Sequence, residues 1–341
     1  MMRPQDVLCP RPQGLYAPGA DAYIDPVTPV PRAIITHGHA DHARAGHGSV
    51  LATAETLAIM AARYGAEFTQ NRQAARYGEA VRIGEATVTL HPAGHVLGSA
   101  QAAVEQGGVR VVASGDYKRR RDPTCAAFEP VACDVFITEA TFALPVFTHP
   151  PTEDEIGKLL RSVAMFPQSA HLVGAYALGK AQRVIAHLRE AGWDQPIYIH
   201  GALTELNALY EAHGVPLGET RFVTDATKAQ LKGAIAICPP SAVQTPWARR
   251  FPEPVTAFAS GWMRVRARAR QRGVELPLVI SDHADWNELT QTIQDVGAPE
   301  VWITHGEADA LAHWCGLNGV RAKPLHMVGY GDEGEPAPEA A

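Results

Sequence analysis

Cysteine is scarce in this chain of 341 residues. Five are present (Cys9, Cys125, Cys133, Cys238 and Cys315), odd in number, scattered, and without a C-x-x-C pair. That excludes a disulfide framework and a thiolate metal cluster, and makes a reducing cytoplasm the expected setting. Charge is sparse too, at 19% of residues, and the net of −6 shows that the protein is not globally basic. Any nucleic-acid surface must therefore be a local patch. No apolar run approaches the ~18 residues of a membrane span. The opening Met1-Met2-Arg3-Pro4-Gln5-Asp6 lacks the apolar core of a secretory signal. Against these absences stands an apolar fraction of 46%, enough for a sizeable core and incompatible with global disorder. The length suits about two domains. The unusual abundance is histidine, with 15 residues.

The character of the chain changes along its length. The first 30 residues, rich in Pro and Gly, read as loops and brief strands. Up to residue 145, short β-branched or alternating runs predict strands at 32–36, 86–91, 109–113 and 135–138, and Leu51 to Tyr64 reads as a helix. Each strand ends in polar residues, and groups at the ends of several strands usually converge on one face. His149-Pro150-Pro151 is a breaker, and Thr152-Glu153-Asp154-Glu155 has the pattern of a capping box opening a helix. Strand and helix patterns then alternate from 146 to 272, which predicts a parallel sheet flanked by helices. Strands follow at 276–280 and 301–304 within a segment 273–330. The acidic tail 331–341 reads as disordered.

The strongest motif is His37-Gly38-His39-Ala40-Asp41-His42, directly after a predicted strand. In extended backbone His37 and His39 point the same way, so two imidazoles reach one cation. Asp41 and His42 diverge and can reach a second cation, and the small Gly38 and Ala40 leave room for access. Imidazole and carboxylate without thiolate suit zinc, with manganese next. Three further candidates stand at strand ends: His95, in a turn with two glycines, Asp116 after 109–113, and His305 after 301–303.

The run His37 to His42, with His95 and Asp116 following in order, resembles the metallo-β-lactamase superfamily. Thr138-Glu139-Ala140-Thr141, Ser281-Asp282-His283-Ala284-Asp285 and Thr304-His305-Gly306-Glu307 resemble the three extra motifs of its β-CASP nuclease branch, which includes the cleavage-and-polyadenylation endonuclease. Gly14-Leu15-Tyr16, Tyr23-Ile24-Asp25-Pro26, Gly115-Asp116-Tyr117-Lys118-Arg119 and Ala175 to Gln182 are similar to the bacterial ligase-associated DNA exonucleases of that branch.

The resemblance implies an α/β fold: a metallo-β-lactamase αββα sandwich, from 1–145 and 273–330, with a β-CASP domain inserted at 146–272. It implies two divalent metal ions. His37, His39 and His95 would hold one, and Asp41, His42 and His305 the other, with Asp116 bridging. Asp25 would orient the His-rich loop rather than bind metal. Glu139 and His283 would face the scissile group, with Asp41 counted beside them as catalytic. The implied activity is hydrolysis of DNA phosphodiester bonds, as a 5′-end-directed exonuclease in repair, with a DNA ligase and a helicase as functional associates.

Two metals about 3.5–4 Å apart lower the pKa of a water towards 7. His283 is the candidate general acid, with Glu139 fixing its tautomer, and the alternative of a further metal ligand stays open. Phosphate handling points to the turn Gly174 to Lys180, with Tyr176 and Lys180, and to Ser260-Gly261. The first has G-x-x-x-x-G-K spacing, but Ala181 replaces the magnesium-binding Ser or Thr of a nucleotide loop. Lys118 and Arg119 follow Asp116 and are candidates for phosphate contact. Arg264, Arg266, Arg268, Arg270 and Arg272 read either as a solvated face or as a second phosphate-contacting run. Three other readings remain: an RNA-processing nuclease, for which His305 speaks; a thioester or lactam hydrolase; and a non-catalytic nucleic-acid-binding scaffold.

Overall fold

The computed structural model describes residues 2–325, so the tail 331–341 lies outside the described residues. Two compact units are formed. One combines the chain up to Thr148 with the chain from His283 onward, and the other is His149–Asp282. The first stretch carries α1 (Pro4–Val7), β1 (Cys9–Arg11), β2 (Gly14–Ala17), β3 (Ala22–Ile24), β4 (Arg32–Ile34), β5 (His47–Ala52), α2 (Ala54–Tyr64), β6 (Thr69–Ala74), β7 (Ala80–Ile83), β8 (Ala86–Pro92), β9 (Ala100–Gln106), β10 (Val109–Ala113) and β11 (Val135–Ala140). The second unit contributes α3 (Thr152–Met165), β12 (His171–Gly174), α4 (Lys180–Glu190), β13 (Ile197–Ile199), α5 (Thr204–Ala212), β14 (Thr220–Phe222), β15 (Ile235–Cys238), β16 (Val255–Ala259), α6 (Arg266–Gln271) and β17 (Leu276–Leu278). The chain then returns through α7 (Trp286–Val296), β18 (Glu300–Gly306), α8 (Ala308–Leu317) and β19 (Arg321–Pro324).

Strand periodicity explains the layering of the first unit. One sheet runs β1-β2-β3-β4-β5-β6 and the other β19-β18-β11-β10-β9-β8-β7. Successive side chains of a strand point to opposite faces. On β4, Ile34 enters a cluster with Val88, Val104, Val111 and Ile137 of the other sheet. Its neighbour Ala33 packs with Leu57 and Met60 of α2. On the far face of the second sheet, Val112, Phe136 and Val301 meet Leu289 and Ile293 of α7 and Leu311 of α8. The layers are helix, sheet, sheet, helix. Burying one Leu or Met of α2 is worth about 1.5–3 kcal/mol.

The second unit is a six-stranded sheet, β14-β13-β15-β12-β16-β17, in which every pairing is parallel. Its central strands are covered on both faces, so β15 is buried along its length rather than alternating. Among the described residues no helix is long and apolar enough to cross a membrane.

Three expectations need correction. The inserted segment ends at Asp282 rather than 272, because Leu276–Leu278 pairs with β16 in parallel register and so belongs to the inserted sheet. The helix expected from Leu51 begins at Ala54, since Leu51 and Ala52 finish β5 and Thr53 caps the helix. Thr152 is not a capping residue: α3 starts there behind Pro151. Glu155 instead binds Lys158 and the Val279 N–H. Ala100–Gln106, for which no element was predicted, forms β9, because β8 and β10 flank it with antiparallel ladders.

Candidate metal centre

The His-rich run follows β4 as a tight loop rather than as a continued strand. Gly38 serves packing, not access: a Cβ there would stand 2.5 Å from Ile59 of α2. Arg63 of α2 donates to the Gly38 carbonyl at 2.8 Å and fixes the loop from the same side. The turn bearing His95 is tied down by the Ser99 hydroxyl, which accepts from the His95 N–H at 3.0 Å and the Val96 N–H at 3.2 Å. Gly115 (φ 56) precedes Asp116 and lies against Thr36, whose side chain leaves no room for a Cβ.

His37, His39, His95 and Asp116 each bring a donor atom within 4.8 Å of the others. The imidazole of His37 packs edge-on to those of His39 and His95, with ring centroids 5.0 and 4.7 Å away. Hydrogen bonding fixes its tautomer. The Thr36 hydroxyl donates to Asp25 at 2.6 Å, so its oxygen accepts from His37 Nδ1–H at 3.0 Å. That leaves a lone pair on Nε2, which is buried, has no hydrogen-bond partner, and lies 3.4 Å from Asp116. Burial, reinforced by His42, His95 and His39, holds His37 well below the ordinary imidazole range. A neutral imidazole with an orphaned buried nitrogen beside a carboxylate fits a cation.

Around His42 the arrangement is different. Asp25 accepts from His42 Nδ1–H at 2.8 Å and from the Thr36 N–H at 2.8 Å. Nε2 of His42 is therefore aimed at Asp116, 3.4 Å away, and at Asp41, 3.7 Å away. Burial opposes charge here, yet Asp116 and Asp41 raise His42 well above its usual range. Burial likewise pushes Asp116 up, against the pull of His42. The His305 ring lies 5.4 Å from that of His42. Asp41, His42 and His305 do not gather as tightly as the first set; the close group on this side is Asp25, His37 and His42. Asp25 and His305 are both in left-handed backbone, at φ 44 and 55, a strain typical of functional sites.

Asp116, Glu139 and His283 form a third close group. Glu139 accepts from the Tyr117 N–H at 2.8 Å and from the Thr141 hydroxyl. Its second oxygen lies 2.9 Å from His283 Nδ1. The His283 ring is 4.7 Å from that of His95. The Ala284 N–H donates to the Tyr117 carbonyl at 2.7 Å, which closes a ring of contacts from Tyr117 through Glu139 to His283.

The phosphate candidates are dispersed. Lys118 is buried, with its N–H on the Ala93 carbonyl. Arg119 is drawn to Asp295 at 2.6 Å and stacks over Phe128. In the second unit, Lys180 is buried against Asp282 and the Ile280 carbonyl. Ser260 caps a short turn by accepting from the Trp262 N–H, Gly261 is buried, and Tyr176 packs near Phe258. Sequence reading missed Thr36, Ser99 and Arg120. Arg120 binds Asp285 at 2.6 Å and donates its N–H to Glu288 at 2.9 Å, holding the start of α7 two residues after His283. A hydroxyl four residues after His95 and one directly before His37 were the available signals.

No family model matches the chain. It is similar to a probable DNA ligase of Opitutus terrae, 30% identical over 317 residues, spanning 91% of this chain and 30% of that protein. Cleavage and polyadenylation specificity factor subunit 3 of Dictyostelium discoideum is 25% identical over 289 residues, 70% of this chain and 37% of that protein. Endoribonuclease YSH1 of Kluyveromyces lactis is 34% identical over 118 residues, 33% of this chain and 15% of that protein. The chain thus spans between 15% and 37% of the length of these relatives. Its fold is similar to a crystal structure of a protein of unknown function from Enterococcus faecalis V583, with a TM-score of 0.53 at 12% identity over 80% of this chain and 74% of the other. Together with the His and Asp cluster and the Glu139–His283 pair, these relatives support the β-CASP branch of the metallo-β-lactamase superfamily.

Proposed function

We propose that the chain is a metal-dependent phosphodiesterase of nucleic acid, and more narrowly a DNA exonuclease working from 5′ ends in repair. The observation that carries this reading is the buried Glu139–His283 pair, at 2.9 Å, beside the His37, His39, His95 and Asp116 cluster. A thioester or lactam hydrolase built on the His-rich run alone has no use for that pair.

His37, His39 and His95 would hold one divalent cation in this reading, and Asp41, His42 and His305 would hold a second, with Asp116 available to both. Zinc suits the imidazole and carboxylate donors, with manganese next. When bound, the cations supply charge neutralisation at the scissile phosphate and a water of pKa about 7. Asp25 orients His42 by taking its Nδ1 proton. Glu139 is acceptor-only as a carboxylate, so His283 Nδ1–H donates to it and Nε2 is left to carry the transferable proton. His283 gives that proton to the departing 3′ oxygen, and the products keep a 5′-phosphate and a 3′-hydroxyl. Of the phosphate candidates, Lys118, Arg119 and Lys180 are buried or ion-paired within their own units, which leaves Tyr176, Ser260 and Gly261 of the second unit for that role in this reading.

The similarity to a protein named as a probable DNA ligase, over 91% of this chain, supports DNA as substrate and functional association with a ligase. The similarity to a named endoribonuclease, with His305, supports the second reading, an RNA-processing nuclease. The deciding experiment incubates the protein with end-labelled single-stranded DNA and RNA in manganese or zinc. Release of mononucleotides from DNA that depends on a 5′-phosphate is expected. Cutting of RNA alone overturns the DNA reading. His283→Ala should keep its metal content and lose roughly 10²–10⁴-fold in turnover; loss of metal would reject the acid role.

A further inference from the structure

The second unit carries a basic strip that the chemistry above does not use. From Pro254 to Val274 the sequence has five arginines and no acidic residue. Arg264, Arg266, Arg268 and Arg270 are exposed and have no carboxylate partner among the described residues. Elsewhere cations are commonly matched, as in Arg119–Asp295, Arg120–Asp285, Lys158–Glu155 and Lys180–Asp282. Helical geometry sorts the strip into two flanks. Ala269 is the buried anchor of α6. Arg266 and Arg270, four apart, share one flank, and Arg268 and Arg272 share the other. The second pair lies on aromatic rings: Arg268 is 4.0 Å above Trp262 and Arg272 is 4.8 Å above Phe258. One flank is therefore open to solvent, and the other sets guanidinium groups over aromatic rings. Like charges four apart disfavour the isolated helix, and an anionic partner relieves that repulsion.

We infer that this strip binds the backbone of a single nucleic-acid strand, with Arg264, Arg266 and Arg270 on phosphates and the Arg268–Trp262 stack supporting an unpaired base. It rests on the nucleic-acid reading above and deepens it. Phosphates match the unpaired charge, and a flat guanidinium on an aromatic ring suits base stacking rather than a closed duplex.

The test uses the full chain in EDTA, with a fluorescein-labelled strand of about 20 deoxyadenylates, followed by anisotropy from about 50 to 200 mM KCl. The triple variant Arg264→Gln, Arg266→Gln, Arg270→Gln should bind at least about tenfold more weakly at the lowest salt. Its log–log salt slope should be shallower by about 2, since each lost phosphate contact removes about 0.7. The matching triple Lys variant should keep the slope. Arg268→Lys should weaken binding with the slope retained, because charge stays and the planar stack is lost. Equal slopes for wild type and the Gln variant overturn the inference, as does a blunt duplex that binds as tightly as the strand. Wild-type hydrolysis of bis(4-nitrophenyl) phosphate in manganese is read in parallel. Hydrolysis without strip-dependent binding sinks this inference alone, and strip-dependent binding without hydrolysis sinks the hydrolytic reading alone.

Discussion

Lys118 to Arg121 and Arg264 to Arg272 are both short basic runs, and the fold spends them in opposite ways. In the first, Lys118 is buried, Arg119 is paired with Asp295, and Arg120 bridges Asp285 and Glu288 at the start of α7. In the second, four arginines face solvent with no carboxylate among the described residues. Nearness to a proposed metal ligand in sequence thus pointed to the run whose charge is consumed internally. The available carboxylates, not the density of arginine, decide whether a basic run can meet a ligand.

That contrast can be tested by removing one cation at a time. The largest effect is expected for Arg120→Ala. Asp285 is fully buried, and the variant removes its 2.6 Å ion pair with Arg120, a loss of about 3 kcal/mol in urea unfolding. A loss below about 1 kcal/mol would show that the bridge is ornamental. The same variant has a pH signature. Burial holds Glu288 above its usual range, and Arg120 pulls it back down. Without Arg120 the folded state takes a proton on Glu288 at still higher pH than the unfolded chain does. The deficit against wild type should therefore shrink, by on the order of 1 kcal/mol, as pH falls from about 7.5 to 4.5. A deficit that widens on acidification would contradict the assignment. Arg119→Ala should cost only about 0.5 kcal/mol, because the pair with Asp295 is partly exposed at 24% and 30%. Arg266→Ala should change stability by less than about 0.5 kcal/mol, there being no bond to lose. A larger cost would mean that the second run is structural after all.

Much of the centre was legible because its residues interrupt apolar strands. His37, His95 and Asp116 each follow a strand whose burial is obvious, and they meet within 4.8 Å together with His39. The Glu139–His283 pairing was legible only through resemblance, since nothing local joins residues so far apart. The looser set of Asp41, His42 and His305 shows the limit of motif order as a guide to distance. Supporting hydroxyls were overlooked because Thr36 and Ser99 are ordinary as letters and act only through direction: one links His37 to Asp25 by accepting from the first and donating to the second, the other receives two backbone N–H groups. β9 escaped because alanine and glutamine favour helix locally, and ladders on both sides override that preference. β17 was assigned to the wrong unit because its membership is set by pairing with β16, which sequence order does not disclose.

The first unit is sewn from two chain segments, and β11 pairs in parallel with β18 across the whole inserted unit. On the ribosome, His37 to His42 emerge early, whereas His283 and His305 arrive roughly 260 residues after the start of that run, some 10–50 s later at ordinary speeds of synthesis. In that interval the half-built sandwich exposes the flank of β11 that β18 will cover, while the second unit can gather its own core. The proposed centre therefore stays incomplete until β18 is made, and a chain cut short before β18 should be an aggregation hazard.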